Sequence, residues 1–156
     1  MKVVYHCYGG AHASPTAAAI HLGILPMDRR PTTVEFYRVI PYYDRITRGE
    51  HGKIIKIGTD SRGNEVCIMG RRNSPQAVIS AIKEFSRLNG IDPEQYYFVN
   101  VVQLYNLLMV AGGFSSRAMG WVNLGRPLVS FGTRLSFGVL VRIVQKTLKD
   151  LEGKPV

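Results

Sequence analysis

The first 23 residues, MKVVYHCYGGAHASPTAAAIHLG, constrain this chain more than any other stretch. Residues 2–8 (KVVYHCY) are a compact apolar run rich in β-formers, which predicts a strand. Gly9-Gly10 breaks that run. Ser14 is a good N-cap and Pro15 suits the first helical position. Ala17-Ala18-Ala19-Ile20 propagates a helix, and Gly23 ends it. A strand, a tight loop and a helix in this order bring loop amides and the positive end of a helix dipole together. That arrangement suits a phosphate or another anion. The contact candidates on the loop are Gly9, Gly10, Ala11, Ala13 and Ser14.

Further along, 32–39 (TTVEFYRV) predicts a short helix capped by Thr32 or Thr33 and stopped by Pro41. KIIKIG (53–58) and EVCIMG (64–69) flank the turn residues DSRGN and predict a β-hairpin. Asn73-Ser74-Pro75 repeats the cap-then-proline start, and QAVISAIKEFSRL carries apolar residues at helical spacing up to Asn89-Gly90. YYFVNVV (96–102) predicts a strand, and 104–111 a helical or irregular stretch leading to GGFSSR (112–117). PLVSFG (127–132) predicts a last short buried strand, and Leu135 to Leu151 an amphipathic helix. Strands alternating with helices imply an α/β fold, a three-layer sandwich around a largely parallel sheet with the hairpin at an edge. The parallel set would be strand 1, 96–102 and 127–132. Residues 1–152 form one domain in this reading, with 153–156 as a flexible tail.

Composition narrows the class. A hydrophobic content of 46% with 20% charged residues is ordinary for a globular protein. No apolar run reaches the roughly 18–20 residues needed to span a bilayer, and the start lacks signal-peptide organisation, so a cytoplasmic location is expected. Cys7 and Cys67 fit neither a disulfide framework nor a metal-ligand spacing, and His6, His12, His21 and His51 form no HxxxH pattern. No metal site is expected, and no cofactor is specified. The net charge of +9 favours an anionic partner. Between Glu94 and Asp150 no acidic residue occurs, while Arg117, Arg126, Arg134, Arg142, Lys146 and Lys149 do. In residues 28–72, basic and acidic residues alternate as on a normal solvated surface.

Two phosphate loops share the strand–loop–helix plan. The nucleotide P-loop, GxxxxGK[ST], needs a lysine that this loop lacks. The loop of cysteine-dependent phosphatases, HCxxxxxR[ST], is matched by His6-Cys7, the glycines and Ser14, but its arginine position holds Ala13. Arg117 or Arg134 would have to supply the missing cation from another loop. Cys7 is thus either a nucleophile or a small buried hydrophobe. His12 is a candidate for a ligand contact or for acid/base work. His6 reads as a packing residue, and His21 as a charge at a helix C-terminus. Thr133 and Arg134 would follow the last parallel strand and share the rim of the first loop. Asn100, in an apolar strand, needs a buried partner or a ligand. Asp44, in PYYDR, is a turn residue or a general acid/base.

YHCYGGAHAS, GTDSRGNEV, GGFSSR and GRPLVSFGT together resemble a bacterial family, domain of unknown function 3189, found mostly in spore-forming bacteria. The similarity runs over nearly the whole chain. Ala13 stands where the family's pattern has Ser, which removes one potential hydroxyl contact. The resemblance implies a compact cytoplasmic domain and no catalytic assignment.

The residues favour a small protein that binds a phosphorylated small molecule or nucleotide at the Gly-Gly loop. Phosphoryl transfer or hydrolysis through Cys7 or His12 would be the natural chemistry. The alternative is a non-catalytic regulatory or interaction protein with a degenerate phosphate loop, for which sporulation is one setting. Nucleic-acid binding through the acid-free half ranks last, no membrane partner is expected, and homo-oligomerisation stays open.

Overall fold

The computed structural model describes residues 1–102 and 122–154, with side chains from residue 130 onward in the second span. Within these residues four strands and four α-helices follow one another: β1 (Lys2–Cys7), α1 (Ala13–His21), α2 (Thr33–Val39), β2 (Ile55–Thr59), β3 (Glu65–Gly70), α3 (Pro75–Leu88), β4 (Tyr96–Asn100) and α4 (Val122–Glu152). They make an α/β fold around a mostly parallel open sheet of order β2-β3-β1-β4. β1 pairs in parallel with β3 on one side and with β4 on the other, and β2 pairs antiparallel with β3. The expected hairpin is present, but of its two strands β2 alone lies at an edge of the sheet. β3 lies inside the sheet and takes the place among the parallel strands that was expected for 127–132.

That stretch is helical, inside α4. The buried side chains Ser130, Thr133, Phe137, Leu140, Val141, Val144, Thr147 and Leu151 recur at helical spacing, so one buried, mainly apolar stripe runs continuously from residue 130. A short apolar run is ambiguous between strand and helix until its flanks are read with it. Thr133 and Arg134 therefore lie within a helix and follow no strand. The stretch 104–111 and GGFSSR fall outside the described residues.

Alternation along β1 sends Val3, Tyr5 and Cys7 to one face of the sheet and Val4 and His6 to the other. On the first face lies the main core, where Ala17, Ala18 and Ala19 of α1 are fully buried with Phe137, Leu140 and Val144 of α4. Small side chains let α1 approach both the strands and α4 closely. On the second face Val4, Cys67 and Met69 pack under Val78, Ile79 and Ile82 of α3. Helix ends follow local chemistry. Thr32 caps α2 in a reciprocal capping box with Glu35, worth about 1 kcal/mol. After α1, Gly23 at φ +70° lets the amides of Gly23 and Ile24 bond back to Ile20 and Ala19. At its other end α1 starts at Ala13, one residue before the expected cap. Ser14 lies in the first turn with its hydroxyl turned elsewhere, and His12 precedes the helix without a side-chain cap. No helix among the described residues is long and apolar enough to cross a membrane.

Candidate functional site

The helices that follow the neighbouring parallel strands β1 and β3, α1 and α3, pack on opposite faces of the sheet. The carboxyl ends of such a strand pair open a crevice between the two turns, the usual ligand position in open α/β sheets. Here the crevice is bordered by residues 8–12 after β1 and residues 71–74 after β3. The ladder continues past the strands: the Arg71 and Arg72 amides donate to the carbonyls of Cys7 (3.0 Å) and Tyr8 (2.9 Å).

On the α1 side, Cys7 ends β1 with its thiol turned toward the start of the helix. The Gly10 amide donates to Cys7 Sγ at 3.1 Å, and Ser14 Oγ lies 3.1 Å from the same sulfur. Ser14 is fully buried and Cys7 is 8% exposed. Among the described residues, the amides of Gly9, Ala11, Ala13 and Ser14 meet no acceptor. The segment 43–46 clamps this loop. Asp44, at φ +56°, donates its amide to the Ala11 carbonyl at 2.9 Å, while its Oδ1 lies 3.0 Å from His12 Nε2. Both side chains of that pair are largely buried, which joins His12 to the acid that the sequence left between two roles. Tyr43 sets its ring edge-on to His12, stacks on Phe36 and donates its hydroxyl to Thr133 Oγ1 at 2.9 Å.

On the α3 side, His6 and Arg71 are both buried. Arg71 Nε donates to His6 Nδ1 at 3.3 Å, Nη2 to Asn100 Oδ1 at 3.4 Å, and Nη1 to the Arg72 carbonyl at 2.5 Å. Burial, together with the Arg71 charge, pulls the His6 pKa down to about 4, so the ring is neutral near pH 7 and free to accept. Asn100 is exposed at the end of β4 rather than embedded in an apolar strand, and its Oδ1 also takes the Val102 amide at 3.0 Å. Arg72, at φ +54°, lays its guanidinium 5.7 Å from the centre of the Tyr8 ring.

The rim thus gathers Cys7, Gly9, Gly10, Ala11, His12, Ala13 and Ser14. Thr133, fully buried inside α4, meets the Tyr43 hydroxyl that packs on this rim. Arg134 is exposed on α4, and Arg117 falls outside the described residues. Arg71, Arg72 and the His12–Asp44 pairing were not foreseen. The repeated strand-to-Ser-Pro start at Ser74-Pro75 was the available signal for the second turn.

Two other polar features lie away from the rim. His21 is not a solvated charge at a helix end. It is buried between Tyr5 Oη (2.8 Å) and Asp60 Oδ2 (3.1 Å), and burial lowers its pKa despite Asp60. A groove of about 400 Å³ runs between β4 and α4, where Asp150 accepts from both Tyr97 (2.8 Å) and Lys146 (2.5 Å). No trio of His, Cys, Asp or Glu side chains suited to a metal ion occurs among the described residues.

No curated protein and no solved structure matches the chain. The family profile described as Protein of unknown function (DUF3189) matches residues 2–149, and the chain belongs to that family.

Proposed function

We propose that this protein binds a phosphorylated small molecule at the carboxyl rim of its sheet, with helices layered on both sheet faces as the frame. The phosphate would rest on the amides of residues 9–14 over the Cys7 thiol. One observation carries the reading: Cys7 Sγ receives the Gly10 amide and neighbours Ser14 Oγ, both at 3.1 Å, beside helix-start amides that have no protein acceptor among the described residues. Sulfur attacks phosphorus as the thiolate, and here the Gly10 amide and the Ser14 hydroxyl stand beside the sulfur that would do so. In the corresponding chemistry the sulfur bonds to phosphorus as the ester oxygen leaves, and the leaving oxygen takes a proton. His12, braced by Asp44, is the rim's candidate acid.

A second reading has its own support. Ala13 puts no guanidinium in the loop, which suits a binding protein that senses a phosphorylated ligand without turning it over.

Thermal shift against phosphate, sulfate and nucleotides tests the shared premise, because a ligand of the folded state raises Tm. No shift at millimolar phosphate removes both readings. Hydrolysis of p-nitrophenyl phosphate that disappears in Cys7→Ser, with the phosphate shift kept, selects the catalytic one. A shift without turnover selects the sensor.

A further inference from the structure

We propose that Arg71 and Arg72 form a second anion subsite across the crevice from residues 9–14, so that the ligand is a small molecule with two phosphate-like groups. This rests on the phosphate reading of the first loop and extends it to a substrate class.

The argument starts from a buried charge. Arg71 is 6% exposed, and its three acceptors among the described residues are neutral: His6 Nδ1, Asn100 Oδ1 and the Arg72 carbonyl. No carboxylate pairs with it among the described residues. Residues 103–121 cannot supply one, because the sequence has no Asp or Glu between Glu94 and Asp150. A cation buried without a counter-charge is costly, and an anionic ligand is the ordinary remedy. A guanidinium has five N–H donors in a planar fork, so among the described residues these three bonds leave two for a ligand.

Position adds to this. Arg71 and Arg72 stand on the turn that borders the crevice opposite the first loop, and Arg72 is tied to that loop. Its amide bonds to the Tyr8 carbonyl and its guanidinium sits over the Tyr8 ring. Neighbouring strands lie about 4.8 Å apart, so the two turns are within the span of one small molecule. Exposed Arg72 can swing onto a ligand, whereas Arg71 is held in place by its three acceptors.

The test is titration calorimetry with orthophosphate, pyrophosphate and a hexose bisphosphate. Wild-type protein should bind at least one of the two doubly charged probes about tenfold or more tighter than orthophosphate. Arg71→Gln should bring that preference within about threefold. Arg72→Gln should weaken it in part. Ligand-free Arg71→Gln should melt no lower than wild type, because a charge without a counter-charge has been removed. Full preference in both variants overturns the proposal. So does a fall in Tm in Arg71→Gln with the preference intact, which would make Arg71 a strut. If Arg71→Gln does not fold, the exposed Arg72→Gln decides. Orthophosphate binding as tightly as both doubly charged probes defeats this proposal and leaves the loop reading standing. A doubly charged probe that binds through Arg71 while orthophosphate does not bind defeats the loop reading alone. Oligonucleotide binding that outcompetes all three probes overturns the small-molecule class.

Discussion

Gly10 lies so close to Gly70 that a methyl group on its α-carbon would stand 2.7 Å from the Gly70 nitrogen. Gly10 also holds φ at +71°, a conformation that L side chains rarely adopt. The glycine that opens the loop is thus needed to seat it on the end of β3, whatever the loop binds. Gly10→Ala should cost about 2–4 kcal/mol, from backbone strain together with overpacking against a rigid backbone neighbour. Urea unfolding would read this directly. An alanine variant as stable as the parent would mean that the loop does not rest on Gly70.

The chain Tyr5–His21–Asp60 gives the complementary case, a polar group set that should matter for stability and not for the rim. Asp60 is in turn held by the amides of Arg62 (2.9 Å) and Asn64 (2.8 Å), which fixes the hairpin turn to α1 through His21. Tyr5→Phe leaves a buried imidazole nitrogen without its hydroxyl, a cost of about 1–3 kcal/mol. For a chain of this size Tm should fall by about 3–10 °C, with the phosphate-induced shift preserved. Loss of that shift at unchanged Tm would contradict the division between network and site.

How far the fold could be read from the chain depended on whether a signal was local. The first strand, the Thr32 cap and the DSRGN hairpin each carry their cause within a few residues, and each is present. PLVSFG failed because six apolar-rich residues satisfy either period. Only the downstream stripe through Phe137 and Leu140 decides for a helix. The site divides the same way. Residues 9–14 announce themselves by glycine and Ser-Pro, whereas His12–Asp44 spans 32 positions and Arg71–His6 spans 65. Arg71 looked like an ordinary surface cation because residues 28–72 mix basic and acidic side chains along the chain. Its burial follows from the parallel pairing of β3 with β1, which no local pattern encodes.

The two cysteines sit on opposite faces of the sheet and should differ in reactivity. Burial and the nearby Glu65 carboxylate push the Cys67 thiol up, and Cys67 is only 2% exposed. Cys7 opens to the rim and has the Gly10 amide and the Ser14 hydroxyl beside its sulfur. Limiting iodoacetamide at neutral pH should therefore label Cys7 first, and phosphate should slow that labelling. Peptide mass mapping distinguishes the sites. Preferential labelling of Cys67 would count against any role for Cys7 as an activated thiol.

His6 gives the protein a defined acid sensitivity. Its pKa falls from the 6.5 of a solvated histidine to about 4 in the fold, first through burial and then through the charge of Arg71. Between those values the unfolded chain holds a proton on this ring that the folded chain does not. Stability from this group is therefore complete above about pH 6.5 and drains away as the pH drops toward 4. The whole step is worth up to about 3 kcal/mol. Glu35, held at about 2 by Arg29 and by the Thr32 amide and hydroxyl, and Glu65, held at about 2 by Lys2 and Lys56, lose their contribution in a lower window. Buried His21 shifts in the same direction as His6, so a His6 variant should flatten the curve without levelling it. His6→Asn keeps an oxygen to accept from Arg71 and removes the titrating ring. Denaturant unfolding at several values from pH 7 to 4 should give a shallower loss for His6→Asn than for wild type. Parallel curves would show that His6 is not the neutral acceptor that holds Arg71 at the rim.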